Sequence, residues 1–274
     1  MVCLPKTAWP PTYPYSCIPC TAMQQRMVRK GGERCENMID IHAHILPGVD
    51  DGPSDWEETE RLLELAGEQG IHHIIATPHY TEETDGIQLS ELLSKTAHIL
   101  QKGKYDLQLS LGQEILYFED LPEYLDRGRA LTLAESRYVL VEFAPEASFS
   151  FIRRAARQLL GCGYLPVLAH VERYACLYEK GRLEELIRGG AYIQMNYHSL
   201  EGSVISSGVR WCRRQVLRGN VHFLGTDMHH AEYRTPVIDK AKRWLKQHAG
   251  EELFRELTET NPSHILENIR MDLQ

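Results

Sequence analysis

The sequence predicts an α/β protein, a single barrel of seven parallel strands with helices between them. Three observations carry the prediction. Short β-branched or apolar runs alternate with helix-patterned stretches of about 10–15 residues, the signature of βαβ units. The 274 residues suit one α/β barrel, a fold that commonly reaches this size undivided. Residues of metal-ligand type recur just after the strands, where such a barrel gathers its active-site side chains.

Met38-Ile39-Asp40-Ile41 is the first strand and runs into His42. Ser54 to Gly70 reads as a capped helix, with Leu62, Leu63, Leu65 and Ala66 as its apolar stripe and Gly70 as its stop. His73 to Ala76 is a buried second strand, and Leu89 to Leu100 the helix after it. Leu107 to Leu111 is the third strand and Tyr138 to Phe143 the fourth, followed by a helix over Phe151 to Leu160. Tyr164 to Ala169, Tyr192 to Met195 and His222 to Gly225 complete the seven strands. No internal repeat or low-complexity tract interrupts them.

With 43% hydrophobic and 25% charged residues, the chain has the composition of a globular protein. A formal charge of −8 gives a phosphate backbone no overall attraction, which argues against nucleic acid. No window approaches the roughly 18 uninterrupted apolar residues of a membrane span. Residues 1–37 differ from the rest: they hold four of the seven Cys and five of the thirteen Pro, and carry a net charge of +3. They lack the apolar core of a secretory signal. They are expected to be a disordered extension or a misassigned start, since Arg29-Lys30-Gly31-Gly32-Glu33-Arg34 can be encoded by a purine-rich run just upstream of Met38. The expected domain is therefore 38–274. Cys17-x-x-Cys20 has no second pair at zinc-ligand spacing. An odd cysteine count without an export signal points to the cytosol.

The chemistry sits where the strands end. His42-Ala43-His44 follows strand one, Thr77-Pro78-His79 strand two, and Gly112-Gln113-Glu114 strand three. Glu142 ends strand four, His170 follows strand five, and Asp227-Met228-His229 follows strand seven. Each piece has a plain structural reading when taken singly, a surface pair or a helix-cap carboxylate. Eight such groups at one mouth are another matter, because they would repel and desolvate one another unless cations neutralised them. Asp51, in the loop after strand one, makes nine candidate ligands, enough for two or three divalent ions. No cysteine joins the set, so the site suits Mn²⁺, Fe²⁺ or Zn²⁺. His72, His73, His98, His198, His222, His230, His248 and His264 fall elsewhere and read as structural or surface residues.

Taken together these motifs are familiar. Met38-Ile-Asp-Ile-His-Ala-His-Ile-Leu-Pro-Gly-Val-Asp-Asp-Gly52 resembles the opening of the PHP (polymerase and histidinol phosphatase) superfamily. Ala76-Thr-Pro-His79, Gly112-Gln-Glu-Ile115, Val141-Glu-Phe143, Ala169-His-Val-Glu-Arg-Tyr174 and Gly225-Thr-Asp-Met-His229 follow in order. More narrowly, the set looks like the bacterial tyrosine-protein phosphatases of capsular and exopolysaccharide loci, from about Met38 to Asn268. Ala43 and Val171 depart from that pattern, and neither is a ligand. The resemblance implies a distorted (β/α)7 barrel and a trinuclear site: one metal on His42, His44, Glu114 and Asp227; a second on Glu142 and His170 with Glu114 as bridge; a third on Asp51, His79 and His229.

A phosphate monoester needs charge neutralisation and an in-line nucleophile. Metal-bound water is acidified toward neutrality, so a metal-bridging hydroxide can attack without a protein nucleophile. Arg173 and Arg234, close in sequence to His170 and Asp227, are placed to fork onto phosphate oxygens. The implied substrate is the tyrosine-phosphorylated tail of a membrane-associated bacterial kinase, met in the cytoplasm. Cysteine-dependent tyrosine phosphatases use Cys-x5-Arg, and the chain has that spacing at Cys20…Arg26, Cys176…Arg182 and Cys212…Arg218. None of the three has the flanking His, the Ser or Thr, or the glycine-rich cradle that the chemistry needs. Three other readings stay open: a histidinol-phosphate phosphatase or other small-molecule phosphoesterase sharing the metals, a metal-free scaffold, and an amidohydrolase. A scaffold would lack ligands that are present here. An amidohydrolase would more often have a bridging Lys where Glu142 stands.

Overall fold

The structure, a computed structural model, describes residues 37–100 and 106–273. The expected extension up to residue 36, with Cys17, Cys20 and Arg26, lies outside the described residues. The strands are β1 (Met38–Ala43), β2 (Ile71–Ala76), β3 (Gln108–Leu111), β4 (Glu114–Leu116), β5 (Tyr138–Glu142), β6 (Leu165–Leu168), β7 (Tyr192–Asn196) and β8 (Phe223–Gly225). The helices are α1 (Trp56–Glu68), α2 (Gly86–Leu100), α3 (Leu121–Asp126), α4 (Phe149–Gly161), α5 (Arg182–Arg188), α6 (Ser207–Leu217), α7 (Asp239–His248), α8 (Gly250–Arg255) and α9 (Asn261–Leu266).

Every strand pair is parallel, and the strands form two sheets, β1-β2-β3 and β4-β5-β6-β7-β8. Isolated bridges, Ala43 to Met228 and His79 to Glu114, link them at both seams. This differs from seven strands in one ring, and the difference lies at Gly112-Gln113. A Cβ on Gly112 would stand 2.9 Å from Leu133 Cδ2, so the chain steps tightly past Leu133 there. It re-enters as β4, paired with β5, a strand that the sequence reading did not assign.

Strand alternation sorts the core into two layers. Ile39, Ile41, Ile75, Tyr138, Leu140, Val167, Tyr192 and Phe223 pack together inside the curve of the sheets. Facing outward, Val139 and Val141 of β5 and Ile193 and Met195 of β7 pack with helix residues such as Leu62 and Leu63 of α1, Ile152 and Leu159 of α4, and Leu245 of α7. Each such leucine contributes about 1.5–3 kcal/mol by leaving water. Asp55, rather than Ser54, caps α1, its side chain accepting from Glu58 N at 3.0 Å. At the N-terminal ends of the strands, Tyr138 Oη donates to Ile269 O and Tyr192 Oη to Met271 O, each at 2.8 Å. The last segment thus seals the floor, and the C-terminal ends form the mouth. Among the described residues no helix is long and apolar enough to cross a membrane.

Candidate metal centre

The pairing of β1 with β2 is irregular between Asp40 and Ala43. Such a bulge re-aims side chains, and here it brings both His42 and His44 to the mouth. Buried Asp40 pins the bulge by accepting from His42 N at 3.2 Å, Thr226 N at 3.1 Å and Thr226 Oγ1 at 2.5 Å. Gly225 is required beside it: a Cβ there would lie 2.8 Å from His42 Cβ and 2.9 Å from Gln194 Nε2. Three of the site's residues, His170, Asp227 and Arg234, hold positive φ of 31°, 52° and 52°. Non-glycine residues adopt this conformation at a cost, and such residues cluster at functional sites.

The structure brings the nine predicted ligands together. His42, His44, Glu114 and Asp227 offer donor atoms all within 4.8 Å of one another, and all four are buried. A second group is His44, Asp51, His79 and His229, and a third is His79, Glu114 and Glu142. Glu114 sits at the hub: its Oε2 lies 3.1 Å from the Nε2 of both His42 and His44, and 3.4 Å from His79 Nδ1. Its Oε1 lies 2.6 Å from His170 Nε2, which is also 3.5 Å from Glu142 Oε2. Asp51 is 60% exposed and reaches His229 Nε2 at 3.2 Å and His79 Nε2 at 3.5 Å.

Outer groups aim the imidazoles. Asp50 Oδ2 lies 2.7 Å from His44 Nδ1 and accepts from His79 N at 3.0 Å. Gln194 Oε1 accepts from His170 N at 2.6 Å and lies 3.3 Å from His42 Nδ1. Gln194 Nε2 donates to Asn196 Oδ1, and Asn196 Nδ2 donates to Asp227 Oδ2 at 2.8 Å. His229 Nδ1 donates to the Asp227 carbonyl at 2.9 Å. Metal-binding histidines are commonly held in this way by their second ring nitrogen. Sequence reasoning passed over Asp50, Gln194 and Asn196. The available signal was parity, since Gln194 and Asn196 continue the inward row that Tyr192 begins.

The electrostatics ask for cations. Burial alone would lower His44, yet Asp50 and Glu114 drive its ring up to about 10, and Glu114 and Glu142 likewise take His170 up to about 9. Burial would raise Glu114 and Asp227, but His42 and its charged neighbours hold both well below the usual carboxylate range. His229 behaves differently: burial, with the charges of His44 and Arg234, pushes it down to about 4. Its Nε2 is buried and makes no hydrogen bond, although it faces Asp51. A neutral imidazole nitrogen, aimed at a carboxylate with no proton between them, is a donor set that fits a divalent ion.

Both arginines stand at the rim. Arg173 Nη2 donates to Asp227 Oδ2 at 2.5 Å, and Arg234 Nη2 to Asp227 Oδ1 at 2.8 Å. Arg234 also reaches Asp51 at 3.4 Å. The cysteines of the described Cys-x5-Arg spacings are elsewhere: Cys212 is buried within α6, and burial pushes its thiol up to about 12. Burial raises the Cys176 thiol as well.

Strands that gather histidines and carboxylates at their C-terminal ends, under two guanidiniums, define a metal-dependent hydrolase of the TIM-barrel-like α/β class. A dihydropyrimidinase from Brevibacillus agri shares the fold at a TM-score of 0.56 and 10% identity, covering 85% of this chain and 71% of that one. Residues 38–267 match the model of the family "Capsular polysaccharide synthesis, CpsB/CapC", and the chain belongs to that family. It is 33% identical to the tyrosine-protein phosphatase CpsB of Streptococcus pneumoniae over 238 residues, 84% of this chain and 98% of that protein. It is also 33% identical to the tyrosine-protein phosphatase YwqE of Bacillus subtilis, over 84% of this chain and 92% of that one. A crystal structure from the work on YwqE and CpsB, described as unique metal-dependent tyrosine phosphatases, superposes with a TM-score of 0.79 at 30% identity, covering 86% of this chain and 97% of that one.

Proposed function

We propose that the domain 38–274 is a metal-dependent protein-tyrosine phosphatase, cytoplasmic, acting on the phosphorylated tail of a membrane-associated kinase that governs capsular or exopolysaccharide synthesis. The observation that carries the reading is the convergence of nine histidine and carboxylate side chains at one mouth, with Glu114 at the hub, beneath Arg173 and Arg234. On this reading the two sheets act as a distorted (β/α)7 barrel. Three ions, Mn²⁺ before Fe²⁺ or Zn²⁺, would be held by His42, His44, Glu114 and Asp227; by Glu114, Glu142 and His170; and by Asp51, His79 and His229. Bound there, such ions supply neutralisation of the phosphate charge and a water acidified toward neutrality.

The chain's own residues do the rest. Arg173 and Arg234 reach Asp227 from the segments after β6 and β8, so their forks can take two edges of a phosphoryl group whose charge grows at the transition state. Their bonds to Asp227 hold them in place before substrate arrives. Asp50 holds the His44 ring and Gln194 the His42 ring and the His170 backbone, so little reorganisation is needed at the moment of reaction. A phenol leaves with a pKa of about 10, so the mouth needs no strong general acid.

Turnover of phosphotyrosine peptide and of histidinol phosphate, each measured with Mn²⁺ and with chelator, tests the reading. Phosphotyrosine turnover that vanishes with chelator is expected. Faster turnover of histidinol phosphate would move the function to small-molecule phosphoesters, and chelator-resistant activity would remove the metals.

A further inference from the structure

Beside the metal centre lies a depression of about 560 Å³ whose lining includes Leu116, Tyr117, Phe143, Ala147, Phe151 and Arg154. It grows directly out of the ligand-bearing strands. Leu116 is two residues beyond Glu114 on the same face of β4, and it is the register partner of Glu142. Phe143 follows Glu142 immediately. Tyr117 N donates to Glu142 O at 3.0 Å, so the wall of the depression and the ligand strand are hydrogen-bonded to each other.

Its walls are held by ring contacts and hydrogen bonds. The Tyr117 ring is 5.7 Å from Phe143 and 5.5 Å from Phe151, and Phe143 and Phe151 meet edge-to-face at 6.0 Å. Tyr117 Oη donates to Gln158 Oε1 at 2.5 Å, Gln158 Nε2 donates to Glu119 O, and Phe143 N donates to Tyr174 Oη. Yet Leu116 is 55% exposed and Phe151 is 37% exposed. Folding does not need a leucine left open to water on the same strand face as a buried metal-type carboxylate. Glu146 and Arg154 stand at the margin with opposite charges, so the floor presents an apolar surface without a dominant sign.

We propose that this depression is a substrate subsite, receiving an apolar or aromatic side chain next to the phosphotyrosine on an extended peptide. The inference rests on the phosphatase reading above and adds a preference that the metal centre cannot supply. With the phosphoryl group at the metals, a tyrosine side chain leads the peptide backbone out to the rim. Two residues of strand span about 7 Å, the separation of Leu116 from Glu114, so the occupant is a residue one or two positions from the phosphotyrosine. An extended peptide presents alternate side chains to such a pocket, which reads sequence while the centre reads phosphate.

The test compares wild type, Leu116→Ser and Phe151→Ser, all loaded with Mn²⁺, on three probes. These are p-nitrophenyl phosphate, a phosphotyrosine peptide with Phe or Leu at the two positions on either side, and the same peptide with Ser there. Wild type should prefer the apolar peptide by about tenfold in kcat/KM. Either variant should lose most of that preference while hydrolysing p-nitrophenyl phosphate at the wild-type rate. Leu116→Ser alters an exposed residue and guards against misfolding of the Phe151 variant. Equal turnover of both peptides by wild type would overturn the proposal. So would an equal fall on p-nitrophenyl phosphate, since the depression would then seat the phosphotyrosine ring itself. Dissociation of a wild-type oligomer by Leu116→Ser, without change in peptide preference, would make the surface a contact between copies. Failure of wild type on all three probes would instead sink the phosphatase reading.

Discussion

Replacing Gln194 with leucine should loosen metal binding without removing a single ligand. Its amide joins three of them: Oε1 accepts from His170 N at 2.6 Å and faces His42 Nδ1 at 3.3 Å, while Nε2 reaches Asp227 through Asn196. Leucine has similar bulk but would leave the His170 N–H, one His42 ring nitrogen and Asn196 Oδ1 unpartnered in a buried place. Each such group costs about 1–3 kcal/mol, and neighbouring losses do not add fully. A total of about 2–4 kcal/mol is therefore expected, lowering Tm by roughly 4–16 °C for a domain of this size. Removing an outer-shell partner commonly weakens metal binding by about 10–100-fold. Calorimetric titration of Mn²⁺ into metal-free protein reads the second effect and thermal melting the first. Gln194→Glu keeps the acceptor and should retain more affinity than Gln194→Leu. If Gln194→Leu melts early but binds Mn²⁺ within twofold of wild type, the amide is merely structural and the positioning argument fails.

The remaining predictions concern the rim, the thiols and pH. Arg234→Ala should lower kcat/KM on phosphotyrosine peptide by about tenfold to a thousandfold, about 1.4–4 kcal/mol. Its metal content should hold, and Arg234→Lys should recover only part because an ammonium makes no fork; elemental analysis and steady-state kinetics check both. Cys176→Ser and Cys212→Ser should keep wild-type turnover, and a loss of orders of magnitude in either folded variant would restore a thiol mechanism. Burial pushes His222 down to about 4, and its Nδ1 accepts from Ile193 N at 2.9 Å, so the folded ring resists protonation. Below about pH 6.5 the unfolded chain binds a proton that the folded chain refuses until about pH 4. Stability from this group is thus complete above pH 6.5 and is lost as pH falls toward 4, by about 3 kcal/mol. Urea melts of metal-free His222→Asn, which keeps an acceptor, should show a flatter dependence across that window; an unchanged slope would count against it.

What could be read in the sequence followed from local chemistry. Strands appear as apolar runs because both faces of a parallel sheet are buried. Candidate ligands were visible because His42 and His44 bracket the end of the first strand, and His79, His170 and Asp227 each stand just past the end of another. β4 was not visible, since three residues after Gly112-Gln113 carry no period, and only the approach to Leu133 shows why the ladder restarts. Gln194 and Asn196 were hidden for another reason. A neutral amide in a buried strand has no ligand signature, and its role depends on partners in β1, after β8 and in the turn after β6. The helix starts were legible to within a few residues, as Asp55 in place of Ser54 illustrates. Caps are set by one or two hydrogen bonds that several neighbouring residues can make.

The same geometry gathers backbone strain at the mouth, although Ala134, Glu135 and Asn268 hold positive φ outside it. Positive φ at His170, Asp227 and Arg234 costs of order 1–3 kcal/mol each, and all three residues meet around Glu114 or Asp227. Buried Glu114 adds the cost of a carboxylate removed from water, relieved only by imidazoles that burial would prefer neutral. Nothing in the packing of α1, α4 or α7 requires this arrangement. A fold keeps such a centre only if its surroundings over-determine it, as the sealed floor and the Asp40–Thr226 clasp do here. Divalent cations would offset part of the cost, and at a hundred times their Kd would add about 2.7 kcal/mol to stability. Strain, buried charge and the proposed metal affinity are on this view one property, set by bringing nine candidate ligands to a single mouth.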